Sequence, residues 1–448
     1  MKDAAIFALC ALTGLQAAAV GFEGVQDTPV TVKADASTGL EAVYVLSSTV
    51  GVTMVYEPAG QNDDVRWYRF SNLGGAYAEE IATVRQGSRV TAQASDGDMG
   101  YIIEEGSRRT CYWVCDYSRH MLDLGTLAPA PEQSCGTAVL EFTGSAGEIP
   151  FYTINGRRQT LSRELELEYT SLQFDEETFV YNTSTETHGF ESVGSMLNVT
   201  APLCDTSFRL SGDRFLSAWG RGQSIDSPSM VATTVEAHTR ATQQQREADN
   251  EQSSDVGGES SFGGSAPCEI TFEAAVTDAA VYHEWQISRD PEFGINENTF
   301  SELTFDYTFR ENGKTYVRFV ANNAEGTCEY VGNTFEVFIG ESKLEIPNAF
   351  SPEGSPGVND EWKVSYRSIV SFECSIFNRW GTLLFSTSDP SQGWDGKHGG
   401  KYVPAGVYFY VIKARGADGV EYNKAGDINI IKFKQGASSG GSATTPTE

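Results

Sequence analysis

The sequence has few of the residues on which catalysis and nucleic-acid binding depend. Its five histidines are scattered along the chain, and none has the HExxH spacing that places two zinc ligands on one helix face. Only 32 Lys and Arg stand against 61 Asp and Glu, whereas a nucleic-acid-binding protein needs a basic face to displace counterions from phosphates. We therefore predict a protein that is not an enzyme, holds no cofactor and binds no nucleic acid.

Long apolar runs are also scarce. The longest, AAIFALCALTGLQAAAV, follows Lys2 and ends in small residues, and it is shorter than the ~20 residues of a membrane-spanning helix. This pattern is typical of a secretory signal peptide, which we place at residues 1–20. The sequence therefore predicts export.

Helical periodicity is almost absent, and residues that favour strands and turns are abundant. The chain contains 45 Gly, 19 Tyr and 25 Phe, and short apolar segments alternate with polar, Gly-rich breaks. We predict an all-β protein, a string of small Ig-like β-sandwich domains, of which the first two occupy residues 23–130 and 131–235. In RELELEY the apolar residues alternate with glutamates, so one strand face should be buried and the other exposed.

The cysteines indicate disulfide bonds, but the sequence does not determine every pairing. One of the eight, Cys10, lies in the predicted signal peptide, so an odd number remains after it. Cys111 and Cys115 would lie ~13 Å apart on a straight strand, too far for a mutual disulfide. We expect Cys135 or Cys204 as their partners, with a zinc site near His120 as the less favoured alternative.

Residues 239–341 divide into two predicted regions. Residues 239–266 lack apolar periodicity and cannot bury enough surface to offset the entropy of ordering, which predicts a disordered linker. In residues 267–341 the order Cys268, Trp285, Cys328 is similar to the layout of immunoglobulin-like sandwiches. We predict an Ig-like β-sandwich with a Cys268–Cys328 disulfide.

The short apolar runs of residues 343–435 predict a compact sandwich of about seven short strands. Glycines fall in the turns between these strands, and Trp380 and Trp394 are predicted to be buried anchors of the core. Residues 342–435 hold 11 Lys plus Arg and 10 Asp plus Glu, so the acidic excess lies in the preceding domains. A polar tail, residues 436–448, follows.

Four motifs in this last region carry a family resemblance. They are IPNAFSPEGSPGVNDEW, FNRWGTLLFS, WDGKHGGKYVPAGVYFYVI and GDINIIK. In order, spacing and length, residues 343–435 resemble the gliding-motility-associated C-terminal domain of Bacteroidetes, the type B sorting domain of the type IX secretion system. The resemblance implies passage across both membranes and recognition by the type IX machinery, with a PorP/SprF-like outer-membrane barrel as the usual partner.

The resemblance also carries a set of signature residues. By position they correspond here to Pro347, Asn348, Phe350, Pro352, Asn359, Asp360, Phe377, Asn378, Arg379, Trp380, Gly381, Trp394, Asp395, Gly396, Pro404, Gly406, Tyr408 and Tyr410. We expect Arg379, Asp395 and Asp360 to organise loops by hydrogen bonds first and to serve recognition second. The loop SPEGSPGVND departs from the family in having an extra residue and no central Asp, so a cation site there would lose a carboxylate ligand.

Three functions compete on these features. We predict a structural or docking component of the secretion or gliding apparatus, at the periplasmic face of the outer membrane or at the cell surface. It would bind the PorP/SprF-like barrel and other surface or periplasmic proteins or glycans. The chain shows no close internal repeat, which favours the apparatus over a long repetitive adhesin. The alternatives are a surface cargo that acts as an adhesin or glycan-binding protein, and a secreted polysaccharide-degrading enzyme. A glycan-binding protein should show a row of exposed aromatics on one sheet face of residues 23–235.

Overall fold

The computed structural model describes residues 20–58, 64–252, 262–352 and 359–431. Within these residues almost all regular structure is β-strand, beside one five-residue α-helix, Arg214–Ala218 (α1). None of the helices described there has the length and hydrophobicity to cross a membrane. The predicted all-β class, a string of Ig-like sandwiches, is confirmed. The predicted signal peptide, apart from Val20, and the predicted polar tail lie outside the described residues.

The chain divides into two compact units. Unit 1 comprises Met1–Asp175 and Asn182–Thr234, and unit 2 comprises Glu176–Tyr181 and Val235–Glu448. Each unit holds two β-modules.

The first module of unit 1 is a two-sheet sandwich. Its strands form a four-stranded sheet of order β1-β4-β8-β7 and a six-stranded sheet of order β2-β3-β10-β9-β5-β6, in which β3 and β10 run parallel. The strands are Gly21–Glu23 (β1), Val30–Lys33 (β2), Ala42–Leu46 (β3), Thr53–Tyr56 (β4), Val65–Phe70 (β5), Glu79–Ile81 (β6), Thr83–Gln86 (β7), Arg89–Gln93 (β8), Met99–Glu105 (β9) and Arg108–Asp116 (β10).

The second module of unit 1 has sheets of order β11-β12-β17, β13-β14 and β16-β15-β18-β19. Its strands are Asp123–Pro129 (β11), Thr137–Ser145 (β12), Ile149–Tyr152 (β13), Arg158–Leu161 (β14), Leu165–Asp175 (β15), Val180–Phe190 (β16), Met196–Thr200 (β17), Phe208–Gly212 (β18) and Gln223–Asp226 (β19). On β15, Leu165, Leu167 and Tyr169 are buried and Glu166 and Glu168 are exposed, as the alternation predicts.

One hydrophobic core runs through both modules of unit 1. It contains Val43 and Trp113 from the first module and Leu167 and Phe208 from the second. A further core, around Trp67, belongs to the first module alone. The two sequence-predicted sandwiches are therefore fused through a shared interior.

A buried ion pair reinforces this fusion. Arg163 and Asp213 have side chains 2% and 0% exposed, with 2.5 Å between Nη1 and Oδ2. Tyr117 donates its hydroxyl to the same carboxylate oxygen at 2.9 Å, and Arg163 also donates to the backbone oxygens of Gly147 and His120. Because both charges are buried, removing one partner would leave the other unpaired in the interior.

The cysteines of unit 1 depart in part from expectation. Cys111 and Cys115 are free and buried on β10, so the predicted absence of a bond between them is confirmed. Cys135, one of the two expected partners, is disulfide-bonded. The expected pairing of Cys111 or Cys115 with Cys135 or Cys204 is wrong, because both β10 thiols lie within the shared core.

The Ig-like module of unit 2 packs a sheet of order β20-β22-β25 against one of order β21-β28-β26-β23-β24, with β27 beside β26. Its strands are Ala237–Gln243 (β20), Phe262–Gly264 (β21), Cys268–Val276 (β22), Tyr282–Ser288 (β23), Asn298–Phe300 (β24), Thr304–Phe309 (β25), Gly313–Asn322 (β26), Glu329–Val331 (β27) and Phe335–Ile339 (β28). Trp285 is fully buried in its core, with its ring against those of Phe272 and Phe319.

The predicted Cys268–Cys328 disulfide is wrong. Cys328 is disulfide-bonded, but Cys268 is a free thiol at the start of β22, where burial raises its pKa to about 11. Cys328 lies in a turn held by Asn323, whose Oδ1 accepts the amides of Thr327 and Cys328 at 2.9 and 3.1 Å. The second cysteine therefore does not sit on a strand facing β22, as an immunoglobulin-type bond requires.

The predicted disordered linker, residues 239–266, is also wrong over its described part. Strand β20 pairs antiparallel with β22 from Ala237 opposite Val276 to Gln243 opposite Ile270. It is an edge strand with little buried surface. Its composition is therefore as polar as that of a disordered segment, although it forms a strand. Residues 253–261 of this segment lie outside the described residues.

The last module, residues 343–431, has its own core around Trp362, Ile376 and Trp394. Its main sheet has the order β30-β37-β36-β32-β33, beside the pairs β29-β31 and β34-β35. The strands are Lys343–Glu345 (β29), Ala349–Phe350 (β30), Ser365–Arg367 (β31), Ile369–Phe377 (β32), Leu383–Thr387 (β33), Lys397–His398 (β34), Lys401–Tyr402 (β35), Gly406–Gly416 (β36) and Glu421–Ile430 (β37).

Candidate functional site

The inner face of the main sheet in the last module holds several of the signature residues. Phe350 and Tyr408 pack against Trp394 with ring centroids 5.5 Å away in each case. Trp394 and Trp362 exchange backbone hydrogen bonds at 2.9 Å in both directions. The hydroxyl of Tyr408 donates to the backbone oxygen of Pro404 at 2.8 Å. These aromatic residues therefore serve the core, and the prediction that Trp394 is buried is confirmed.

The other tryptophan of the motifs lies on the surface. Trp380 is 74% exposed, so the prediction that it anchors the core is wrong. It follows β32 in a tight turn, where Asn378 Oδ1 accepts the amides of Trp380 and Thr382 at 3.0 and 2.9 Å. Gly381 supplies the positive φ of 82° that this turn needs. The turn therefore leaves the Trp380 side chain outside the core of the module.

Arg379 shares this turn with Trp380. Its guanidinium carbon lies 4.3 Å from the centre of the Trp380 ring, which is within the range of a cation–π contact. The hydrogen bonds that hold the turn come from Asn378, so Asn378 has the organising role expected of Arg379. The turn therefore presents a stacked Arg–Trp pair on a rigid support.

Asp395 does organise its loop, as expected. Its carboxylate accepts the amide of Lys397 at 3.0 Å and the Lys397 ammonium at 2.9 Å. Burial alone would raise the pKa of Asp395, but these hydrogen bonds outweigh it and hold the pKa below its ordinary value. Gly396 follows with φ of 75°, and a Cβ there would lie 3.0 Å from the ring of Pro352.

The outer face of the main sheet is apolar at the end that carries this turn. Val407, Phe409 and Val411 project from β36 and are 49%, 44% and 43% exposed. Phe409 lies opposite Phe377 of β32, and Phe377 lies opposite Leu383 of β33. We call these five residues, together with Arg379 and Trp380, the outer patch. Exposed apolar surface of this kind marks interaction sites in soluble proteins.

The same face becomes charged towards its other end. Lys413 lies opposite Glu373 on β32, and Arg415 lies opposite Glu421 on β37. The outer patch is therefore bordered along the strands by paired charges, and across them by Asp427, which lies opposite Phe409. An apolar centre with a polar border is the anatomy of a protein–protein interface.

Most of the remaining signature residues take part in hydrogen bonds or packing that hold the module together. The backbone oxygen of Asn348 accepts the amide of Asn429 at 2.9 Å, and the amide of Ser351 donates to Asn359 at 2.8 Å. Pro347 accepts the indole N–H of Trp362 at 2.7 Å. Tyr410 packs on Trp362 with 5.4 Å between ring centroids. Gly406 starts β36. The loop residues 353–358 lie outside the described residues.

Metal sites and glycan-binding faces each have a recognisable set of side chains. Among the described residues, no group of three or more His, Cys, Asp or Glu side chains could hold a metal ion. In the described part of residues 23–235, Tyr77 is the one aromatic residue among the exposed large apolar side chains. The row of aromatics expected of a glycan-binding sheet is therefore absent from that part of the chain.

Several multidomain proteins of known structure are similar to the greater part of this chain, at low sequence identity and low TM-score. The tetra-tandem repeat in the extending region of a large adhesion protein is 10% identical, with 86% of this chain and 96% of that chain covered and a TM-score of 0.22. Immunoglobulin domains 1–5 of Sidekick-1 are 10% identical, with coverage of 85% and 76% and a TM-score of 0.23. Dimeric latent PorU from Porphyromonas gingivalis is 10% identical, with coverage of 73% and 36% and a TM-score of 0.15.

Family models match two parts of the chain. A fibronectin type III domain model matches residues 127–227, which lie in the second module of unit 1, and the CHU_C type IX secretion signal domain model matches residues 344–430. No curated protein matches the sequence. The chain thus carries a type IX secretion signal domain of the predicted type B kind at residues 344–430, preceded by Ig-like and fibronectin type III-like sandwiches.

Proposed function

We propose that this protein is a passenger of type IX secretion, a non-catalytic β-sandwich protein displayed at the cell surface or released. The observation that carries the proposal is the signal-domain match at residues 344–430, because a secretion signal is a feature of the protein that is exported. This favours the cargo alternative over the component of the apparatus that the absence of a close internal repeat favoured.

We further propose that the outer patch is the surface that the secretion machinery recognises. Among the described residues no element covers Trp380, Phe409 or Val407, although each is of a type that small domains normally bury. The partner would be an outer-membrane barrel of the PorP/SprF kind, which the sequence resemblance implies. A rigid aromatic and Arg anchor within an apolar surround is the composition of a binding hot spot.

The test is an export assay of the full chain in a bacterium with a working type IX system. Trp380→Ala and Phe409→Ser should leave the thermal unfolding temperature unchanged and cause the protein to accumulate in the periplasm. Val420→Ala is the matched control, because Val420 is 46% exposed and lies beyond the opposite end of β36. Export of all three variants at the wild-type level would overturn the outer patch as the recognition surface.

A further inference from the structure

The segment between β20 and residue 252 lies along the sorting domain. We call Gln244–Gln252 the strap. The strap begins in the Ig-like module, where the amide of Gln244 donates to Glu269 at 2.9 Å. Its far end forms a single parallel β-bridge with β31, between Glu251 and Tyr366: the amide of Gln252 donates to Tyr366 at 2.7 Å, and the amide of Tyr366 donates to Asn250 at 3.1 Å. The strap is thus bonded through its backbone to the outer edge of the β29-β31 pair.

Side chains of the strap add to these backbone bonds. Asn250 Nδ2 donates to the backbone oxygens of Val364 and Pro390 at 2.7 and 2.9 Å. Asp249 accepts the ammonium of Lys363 at 3.0 Å. Gln252 Nε2 donates to Ser365 Oγ at 2.8 Å. One short segment therefore bonds both to the residues at the start of β31 and to the loop that follows β33.

The Ig-like module meets the sorting domain beside the strap. The amide of Ser368, which is fully buried, donates to Ser265 Oγ at 2.7 Å, and the amide of Asn312 donates to Ala417 at 3.2 Å. Val370 and Ala417 of the sorting domain pack against the core of the Ig-like module. The contact therefore combines apolar burial with a hydrogen-bonded border, as lasting interfaces do.

We propose that the strap and this contact bind the sorting domain to the Ig-like module without the covalent connection at Glu341–Ser342. A cut in that connector would leave the sorting domain attached to the exported chain. The inference deepens the proposed function, on which it rests for its cellular meaning: the sorting signal stays with its passenger after export, even if a protease cuts the connector.

The test uses the full chain with the recognition sequence of a site-specific protease inserted between Glu341 and Ser342. After complete cleavage, the two fragments should co-elute on size-exclusion chromatography at micromolar concentration. Separate elution of the sorting-domain fragment would overturn the inference. This result does not depend on the export assay of Trp380 and Phe409, so failure here and failure of the proposed function are distinguishable.

A matched pair of variants tests whether the strap holds the cleaved sorting-domain fragment. Asn250→Asp removes both donors and turns a carboxylate towards two carbonyl oxygens, at a place where Asn250 Oδ1 is already buried without a hydrogen-bond partner. After cleavage it should weaken retention by about tenfold or more. Gln245→Glu makes the same amide-to-carboxylate change at an exposed strap residue and should retain the fragment as the wild type does.

Equal retention of both cleaved variants would overturn the strap as the holding element. Because Asn250→Asp could also disturb folding, hydrogen exchange is measured on the uncut chains. The amides of Gln252 and Tyr366 should lose protection while those of β36 and β37 keep it. Loss of protection throughout the sorting domain would contradict a local role for Asn250.

Discussion

The two units join their paired modules in different ways. In unit 1 one hydrophobic core extends through both modules, and the buried Arg163–Asp213 pair of the second module is hydrogen-bonded to Tyr117 and His120, which follow the last strand of the first. In unit 2 the Ig-like module and the sorting domain have separate cores, and the strap and a border of hydrogen bonds join them. A fused interior makes two modules unfold as one, whereas a surface strap leaves each module its own stability. Unit 1 should therefore unfold as a whole, whereas the sorting domain can lose its structure separately from the Ig-like module.

Breaking the buried ion pair should have the largest effect. Asp213→Ala leaves the Arg163 charge unpaired in the interior and should lower the free energy of unfolding of unit 1 by about 3–5 kcal/mol. Both modules of unit 1 should lose stability together in denaturant unfolding followed by hydrogen exchange. The exposed pair Arg158–Glu148 is the control, since Arg158→Ala should cost about 0–1 kcal/mol. Destabilisation of one module alone would contradict the shared core.

The corresponding change in unit 2 should remain confined to the sorting domain. Trp394→Ala removes a side chain that is 1% exposed and should cost about 3–5 kcal/mol. Hydrogen exchange should show lost protection in β32 and β36 and unchanged protection in β22 and β26. The control is Trp380→Ala, which deletes the same side chain from the surface and should stay within about 0.5 kcal/mol of the wild type. Equal costs for the two variants would be incompatible with the placement of Trp380 outside the core.

A smaller effect is expected where two loops of unit 1 meet. A Cβ on Gly74 would lie 2.6 Å from the backbone nitrogen of Gly156, at a φ of 87°. Gly74→Ala should therefore cost about 1–3 kcal/mol. Gly87 also has a positive φ, of 60°, but open space around its Cβ position. Gly87→Ala should cost about 1 kcal/mol or less, so the difference in chemical denaturation reports the loop contact alone.

The smallest expected effect is a pH dependence at the connector of unit 2. Asp418 accepts the amide and the hydroxyl of Ser342 at 2.9 and 2.7 Å. Burial alone would raise the pKa of Asp418, but the bonds from Ser342 hold it below the ordinary value. The ionised carboxylate thus stabilises the connector above the ordinary Asp pKa of about 4, and this contribution is lost as the pH falls through the lower folded-state pKa.

Hydrogen exchange at the Ser342 amide measures this dependence. Protection of that amide, corrected for the intrinsic exchange rate, should fall as the pH drops below about 4. Asp418→Asn removes the titrating group and should flatten the profile. An unchanged pH profile in the variant would assign the dependence to another group.

The sequence predicted the fold class and the sorting domain because both depend on local signals. Strand and turn patterns recur along the chain, and four motifs in fixed order identify residues 344–430. The orientation of residues in β36 was not predictable in the same way. The run Val407–Ile412 is apolar at every position, so no alternation distinguishes exposed Phe409 from buried Tyr408.

The wrong predictions share a physical cause, which is that tertiary contacts overrode composition. Strand β20 and the strap are polar because one is a sheet edge and the other is held by hydrogen bonds, so their composition is typical of disorder. Trp380 and Trp394 occur in equally conspicuous motifs, and only the turn made by Asn378 separates an exposed tryptophan from a buried one. The order Cys268, Trp285, Cys328 could not show that the second cysteine lies in a turn.

Deletion of the gene distinguishes a passenger of type IX secretion from a component of the apparatus. Proteomics of the culture medium and cell surface would compare the export of other type IX cargo in the deletion strain and its parent. If the protein is a passenger, other cargo leaves the cell at the parental level. General accumulation of that cargo in the periplasm would contradict the passenger role and make the protein a component of the apparatus.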